Sequence, residues 1–243
     1  MKKAANTCKL SVNINKVALL RNQRKGNLPD LLEFARKAEQ YGAQGITVHP
    51  RPDERHIRYS DVPALKSIVS TELNVEGNPT QHFLELIEKV RPDQCTLVPD
   101  PPGVLTSDQG WDIGQNRDFL AEVVQKLHAW GIRSSLFIDP NEEAVAAAHD
   151  LKADRVELYT GDYAKMWDKD PAAALQAHVS CAEKALELGI GLNAGHDLNL
   201  QNLPDYYNAM KGLMEVSIGH ALVADCLEYG LSSTIRMYRC CLL

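Results

Sequence analysis

The chain has 243 residues, of which 44% are hydrophobic and 24% are charged, and its formal net charge is −6. This length allows a sizeable core without disulfides or metals, and the acidic balance excludes the broad basic field that binds nucleic acid or an anionic membrane. Polar residues interrupt the segment after the two amino-terminal lysines, which argues against a signal peptide, and no apolar run is long enough to span a membrane. We therefore expect a cytoplasmic protein without a nucleic-acid or membrane partner.

Eight short, β-rich segments alternate with longer amphipathic segments along the whole chain. The predicted strands cover residues 9–15, 45–50, 73–77, 94–99, 134–139, 155–161, 191–196 and 215–220. A helix pattern follows each strand and is clearest at residues 30–41, 80–90, 116–130 and 171–188. Three of these helices are followed by Gly42, Gly131 or Gly189, and glycine can adopt the left-handed conformation that ends a helix.

Eight alternating units without an internal linker favour one (β/α)8 TIM-barrel domain over residues 1–243. The alternative is an open, doubly wound sheet, which usually has a glycine-rich phosphate turn after its first strand. The corresponding turn here reads Asn13-Ile14-Asn15-Lys16 and contains no glycine. The pattern therefore favours the barrel, in which the carboxyl ends of the strands meet at one mouth and form the active site.

The predicted strand ends and the loops just after them are unusually polar. Their polar residues include Asn13, Asn15, Lys16, His49, Arg51, Arg55, His56, Glu76, Asn193, His196 and His220. Four of the eight histidines lie there, and the other four lie in helix patterns, where we expect exposure.

Two imidazoles and a carboxylate, from His49, His196 and Glu76, suit a reaction with several proton transfers. Histidine titrates near neutral pH, and the pKa of an enclosed glutamate can be raised toward it. The alternatives are structural hydrogen bonds for the histidines and a salt bridge from Glu76 to Arg24 or Arg51.

Two glycine-containing turns and one long loop supply candidate substrate contacts. Residues 193–196 (NAGH) and 217–220 (SIGH) end the last two strands, where backbone N–H groups of barrels often bind phosphate, although glycine used only for turning is the alternative. The loop at residues 100–115 is long enough to act as a lid, in which Thr106 could contact a substrate; a rigid surface loop is the alternative.

Seven segments between residues 12 and 222 resemble, in order, the motifs of the pyridoxine 5′-phosphate synthase family. They read VNINKVALLRNQR, GITVHPRPDERHIR, LNVEGNPT, LVPDPPGVLTSDQGWD, SLFID, NAGHDLN and SIGHAL. The resemblance implies a transferase that condenses 3-amino-2-oxopropyl phosphate with 1-deoxy-D-xylulose 5-phosphate, releasing phosphate and water and forming pyridoxine 5′-phosphate. It also implies a homo-octamer and no metal or organic cofactor.

The same motifs imply roles for individual residues. Proton acceptors fall on His49 and Glu76, and the proton donor falls on His196. The contacts to deoxyxylulose phosphate fall on Arg51, His56 and Thr106. The contacts to aminooxopropyl phosphate fall on Asn13, Arg24, Asp197, Gly219 and His220.

The chain departs from the family pattern at three positions. Asn15 and Lys16 stand where the family usually has Asp-His, so a charge and a titrating ring are replaced, although Lys16 keeps a donor. We assign both residues to substrate binding. Asp197 stands where the family usually has glycine, and because a carboxylate repels phosphate we expect its side chain to point away while its N–H donates.

Two other functions fit part of the pattern. A metal-dependent phosphosugar aldolase could use His49, His56, Glu76, His196 and His220 as ligands, although the arginine-rich loop at residues 51–58 suits phosphate better. The second is a non-catalytic barrel that binds a phosphorylated metabolite, against which stand three acid–base groups at one mouth.

Overall fold

The computed structural model describes residues 8–100 and 107–243. At its centre is a closed barrel of eight parallel strands, each paired with its neighbours in chain order, with the first also paired to the last. The strands are β1 (Lys9–Asn13), β2 (Gly45–Val48), β3 (Leu73–Gly77), β4 (Gln94–Leu97), β5 (Arg133–Ile138), β6 (Arg155–Tyr159), β7 (Gly191–Gly195) and β8 (Leu213–Ile218). The barrel confirms the predicted fold, and the open doubly wound sheet is wrong.

Eleven helices lie in the described parts of the chain. The helices between strands carry the chain back along the outside, so that each strand begins at the same end of the barrel. They are α1 (Asn15–Asn22), α2 (Leu31–Gln40), α3 (Asp61–Lys66), α4 (Gln81–Val90), α5 (Arg117–Ala129), α6 (Glu142–Asp150), α7 (Gly161–Trp167), α8 (Pro171–Leu188), α9 (Leu203–Ala209), α10 (His220–Tyr229) and α11 (Leu231–Cys240). The predicted glycine stops are confirmed, since Gly42, Gly131 and Gly189 all have positive φ.

Most strands end one or two residues before their predicted ends. Parallel pairing stops where the backbone turns toward the mouth, so His49 and His196 follow β2 and β7 instead of belonging to them. Asn15 and Lys16 lie in the first turn of α1, and His220 is the first residue of α10, so the predicted strand bounds that included Asn15 and His220 are wrong, and Lys16 lies in a helix instead of a turn.

Charged and polar side chains fill the barrel at the amino ends of the strands. Lys9 Nζ lies 2.8 Å from Glu72 Oε2, and Arg133 pairs with the same carboxylate. Arg155 Nη1 lies 3.5 Å from Glu215 Oε2, and both residues project from strands. This amino-end charge network occupies the end of the barrel opposite the polar mouth, so the mouth is the open end for a ligand.

His178 corrects one prediction about exposure. It lies on α8, but only 2% of it is exposed, and its Nδ1 lies 3.0 Å from the hydroxyl of Tyr206. The helix pattern does not reveal this burial, because the face of α8 that carries His178 packs against α7 and α9. Among the described residues, no helix is both long and apolar enough to cross a membrane.

Candidate active site

Three strands place His49, Glu76 and His196 at the mouth. Glu76 lies within β3, while His49 and His196 follow the last residues of β2 and β7. His49 Nδ1 lies 3.9 Å from Glu76 Oε2, which is longer than a hydrogen bond but close enough to tighten when a substrate binds. The charge of His196 also contributes to the pKa of His49, so the three groups share one electrostatic environment.

Burial shifts the pKa values of His49 and Glu76 in opposite directions. Desolvation, followed by the nearby charges of Arg51 and His56, holds the pKa of His49 well below its ordinary value. Desolvation and the like charge of Glu157 raise the pKa of Glu76 well above its ordinary value. The imidazole is therefore neutral at pH 7, and the carboxyl retains a proton to a higher pH than an exposed glutamate.

Glu157 is a titratable group that the sequence analysis missed. It lies in the middle of β6, is 3% exposed, and receives a 3.5 Å contact from the Thr96 hydroxyl on its Oε2. Burial and the charge of Glu215 raise its pKa to about 8. A side chain at residue 195 would overlap Glu157 Oε1, so Gly195 allows this carboxyl to lie against β7.

His196 lies beside two aromatic rings, which also escaped the sequence analysis. Its ring centroid is 5.5 Å from that of Tyr159 and 6.0 Å from that of Phe137. Burial lowers the pKa of His196. Its φ is 93° and that of Asp197 is 55°, a left-handed region that costs non-glycine residues about 1–3 kcal/mol each.

Arg51 and His56 lie on the loop after β2, and both are buried. Arg51 Nη2 donates to Asp100 Oδ2 at 2.6 Å and lies 3.5 Å from Ser107 Oγ, so it joins the two described ends of the loop after β4. The His56 ring accepts at Nδ1 from the Ile57 N–H at 2.9 Å, and burial lowers its pKa to about 4. The neutral ring therefore carries its proton on Nε2, where it can donate.

Lys16 and Asn15 lie near these histidines. The ammonium of Lys16 contributes to the lowered pKa values of both His56 and His196, so its charge acts at the mouth. Asn15 Oδ1 accepts from the His49 N–H at 2.9 Å, which fixes the backbone at the end of β2.

The remaining predicted contacts are divided between the mouth and the surface. A Cβ added to Gly219 would lie 3.2–3.3 Å from side-chain atoms of Asn13, so β1 and the start of α10 are adjacent. His220 and Asp197 are exposed, and Arg24 is exposed in the connection between α1 and α2. Thr106 lies outside the described residues.

Within residues 8–100 and 107–243, the acid–base groups are not grouped as a metal site: no three histidine, cysteine, aspartate or glutamate side chains stand close enough to hold an ion. Among the described residues, Glu76 forms no salt bridge with Arg24 or Arg51, so that alternative from the sequence is wrong: Glu76 lies 3.9 Å from His49, and Arg51 pairs with Asp100.

The fold and the mouth define a (β/α)8-barrel enzyme. Residues 10–243 match the family model described as "Pyridoxal phosphate biosynthesis protein PdxJ". A pyridoxine 5′-phosphate synthase of Porphyromonas gingivalis is 56% identical over 95% of this chain and 97% of its own, and one of Bacteroides fragilis is 55% identical over 96% and 99%. The chain therefore belongs to the PdxJ family of pyridoxal phosphate biosynthesis enzymes.

Solved structures of lower identity share the fold. A 3-hexulose-6-phosphate synthase covers 97% of this chain and 100% of its own with a TM-score of 0.64 at 14% identity. An N-(5′-phosphoribosyl)anthranilate isomerase from Pyrococcus furiosus covers 97% and 98% with a TM-score of 0.59 at 12% identity. At these identities the likeness extends to the barrel alone.

Proposed function

We propose that this chain forms pyridoxine 5′-phosphate by condensing 3-amino-2-oxopropyl phosphate with 1-deoxy-D-xylulose 5-phosphate. The observation that carries the proposal is the meeting of His49, Glu76 and His196 at one barrel mouth, in a chain whose relatives bear the name of this synthase. Amine condensation, loss of phosphate and ring closure each move protons, so several acid–base groups at one mouth suit the reaction.

His49 and Glu76 act as proton acceptors in this proposal. A neutral, buried imidazole has a free ring nitrogen that can accept a proton without first losing one. The raised pKa of Glu76 makes its carboxylate a stronger base than an exposed glutamate. Their 3.9 Å separation allows a substrate proton to be shared between them once the mouth closes around the substrate.

His196 acts as the proton donor. Burial lowers its pKa in the ligand-free protein, whereas a donor needs its proton at neutral pH. A bound phosphate dianion would reverse that shift, because a nearby opposite charge favours the protonated ring. Substrate binding would thereby favour the protonated form of His196 that donates the proton.

Two groups of donors suit the two phosphorylated substrates. Arg51, His56 and Lys16 provide a guanidinium, an Nε2–H and an ammonium on one side of the mouth, which suit deoxyxylulose phosphate. The aminooxopropyl phosphate contacts implied by the resemblance are Asn13, Arg24, Asp197, Gly219 and His220. Asn15, which supports the His49 backbone, is assigned to substrate binding without a choice between the two substrates. Four points remain predictions from the sequence: the contact of Thr106 with deoxyxylulose phosphate, the homo-octameric assembly, the cytoplasmic location and the absence of a cofactor.

The test is direct synthesis of pyridoxine 5′-phosphate by purified, chelator-treated protein from the two substrates. A Glu76→Gln variant should lose about 10²-fold or more in kcat, since it keeps the shape of the side chain but removes the base. Glu85→Gln is the matched control, because Glu85 lies on α4 with its side chain 60% exposed.

The outcomes separate the alternatives. Product from the wild type and from Glu85→Gln, but not from Glu76→Gln, supports the proposal. Folded protein that makes product only after a divalent metal is restored would support metal-dependent chemistry instead. Folded protein that makes no product under either condition would refute the proposed reaction.

A further inference from the structure

The turn after β7 has an unusual backbone. Five non-glycine residues in the described parts of the chain have positive φ, and only His196 and Asp197 are adjacent to each other. Two consecutive left-handed residues need support from their surroundings, because each would relax toward negative φ if it were free. A change in the φ of His196 would alter the position of its ring relative to those of Tyr159 and Phe137.

Thr160 supports this turn from the end of β6. It is the N-cap residue of α7, where a threonine hydroxyl commonly accepts a hydrogen bond from the helix backbone, yet its side chain makes no cap hydrogen bond. Its hydroxyl instead faces the carbonyl oxygens of Gly195, at 2.7 Å, and of His196. The single hydroxyl proton can be donated to either carbonyl, and both belong to the turn.

Asn202 supports the same turn from the other side. It is the N-cap residue of α9, and its side chain also makes no cap hydrogen bond. Its Nδ2 donates to the Asp197 carbonyl at 3.2 Å, and its Oδ1 accepts from the Asn199 N–H at 2.8 Å. The Tyr163 hydroxyl donates to the Asn202 carbonyl at 2.7 Å, which fixes Asn202 in turn.

We propose that Thr160 and Asn202 are positioning residues that hold the left-handed His196–Asp197 turn and thereby aim the His196 ring into the mouth. Both are fully buried, at 0% and 1% exposure, and both direct their side chains away from the helix that each precedes. Neither touches the reacting atoms. The inference rests on the proposed role of His196, but the position of its ring can be measured independently of any reaction.

The experiment compares Thr160→Val with Thr160→Ser. Valine keeps the shape of threonine without the hydroxyl, and serine keeps the hydroxyl. We expect Thr160→Val to lower kcat about 10-fold or more while KM changes less than about 3-fold, since misplacing a catalytic group by an ångström is costly. Thr160→Ser should keep most of the wild-type kcat. Thr234→Val, with an equally buried threonine on α11, is the matched control.

A second readout follows the His196 ring itself. In the NMR spectrum of protein labelled at histidine Cε1, the signal of His196 is assigned by its loss in His196→Ala. The ring currents of Tyr159 and Phe137 change the chemical shift of this signal. Thr160→Val should move this signal, whereas Thr234→Val should not. If Thr160→Val does not fold, Asn202→Asp replaces it, because aspartate keeps the acceptor for Asn199 and loses the donor to Asp197.

The outcomes of the two readouts are distinct. An unmoved His196 signal in folded Thr160→Val, or in Asn202→Asp where that variant stands in, overturns the positioning role. A wild-type kcat in the same variant also overturns it when His196→Ala itself loses activity. A moved signal, together with full activity of His196→Ala, keeps the positioning of the ring and refutes only the proposed catalytic role of His196.

Discussion

The burial of His178 should make the protein lose stability in mild acid. Its pKa is about 4 in the folded protein, against an ordinary value of 6.5, and desolvation is the main cause, partly opposed by the charge of Asp162. The Tyr206 hydroxyl, 3.0 Å from Nδ1, is its hydrogen-bonding partner. Since the unfolded chain binds the proton more tightly, the stabilisation is complete above pH 6.5 and is lost as the pH falls from 6.5 toward 4.

The size of this loss follows from the two pKa values. A difference of about 2.5 in pKa, at ~1.36 kcal/mol for each pH unit, gives about 3.4 kcal/mol once the residue is protonated in both states. At pH 5 the folded protein is still mainly unprotonated at His178, and the loss is about 2 kcal/mol. His178 is only 2% exposed, so solvent screens little of this difference.

The assay is thermal unfolding at pH 7.5 and at pH 5.0, for the wild type and for His178→Gln. Glutamine can still bond to Tyr206 but does not titrate. For a chain of this length about 2 kcal/mol corresponds to about 4–8 °C, so the Tm of the wild type should fall by that much more than the Tm of the variant. His49 and His56 also resist protonation, but they contribute equally to both proteins and cancel.

His82→Gln is the matched control, because the His82 side chain is 73% exposed. Its acid-induced fall in Tm should equal that of the wild type. If His178→Gln lost as much Tm as the wild type between the two pH values, the burial of a neutral His178 would not govern acid stability, and the reasoning would be refuted.

Two further predictions concern substrate binding. Lys16→Ala should raise the KM for deoxyxylulose phosphate about 10-fold, since one cation at the mouth is lost, while Lys25→Ala, which alters an exposed lysine, should not; equal KM values would place Lys16 outside the site. Gly219→Ala should raise the KM for aminooxopropyl phosphate, because its methyl group would lie 3.2–3.3 Å from the Asn13 side chain; Gly114→Ala, with only one side-chain contact at 3.4 Å, is the control, and an unchanged KM would contradict the tight fit.

The fold could be predicted from sequence because each strand has a compact apolar pattern with turn residues beside it. The predicted strand at 73–77 and the predicted helix at 171–188 coincide with β3 and α8. The strand ends were less predictable. Residues such as Asn15 and His196 continue the strand-like sequence pattern, although their backbone no longer pairs with the neighbouring strands and already lies at the mouth.

The site could be predicted only where its residues lie near strand ends. Glu157 was missed because β6 is buried on both faces, so no alternation distinguishes a residue that faces the barrel interior. The pairing of Arg51 with Asp100 joins loops 49 residues apart in the chain, which no local pattern reveals. Thr160 was missed because the sequence places it inside the predicted strand at residues 155–161, whereas in the structure it follows β6 and precedes α7.

The amino-end charge network also constrains how the barrel can close. Sliding one strand past its neighbour by two residues would keep the same side chains facing inward, so the apolar pattern alone cannot forbid it. Such a slip would move Arg155 about 7 Å along its strand, away from Glu215 on β8, and leave both charges buried without each other. Lys9 and Arg133 share Glu72, so slips of β1 or β5 would weaken the pairing of this buried carboxylate, although the penalty is smaller because both cations are partly exposed. The network thus helps to fix the strand register, and with it the shear of the barrel. This role explains why charges that are costly to bury are kept at the end of the barrel that touches no substrate.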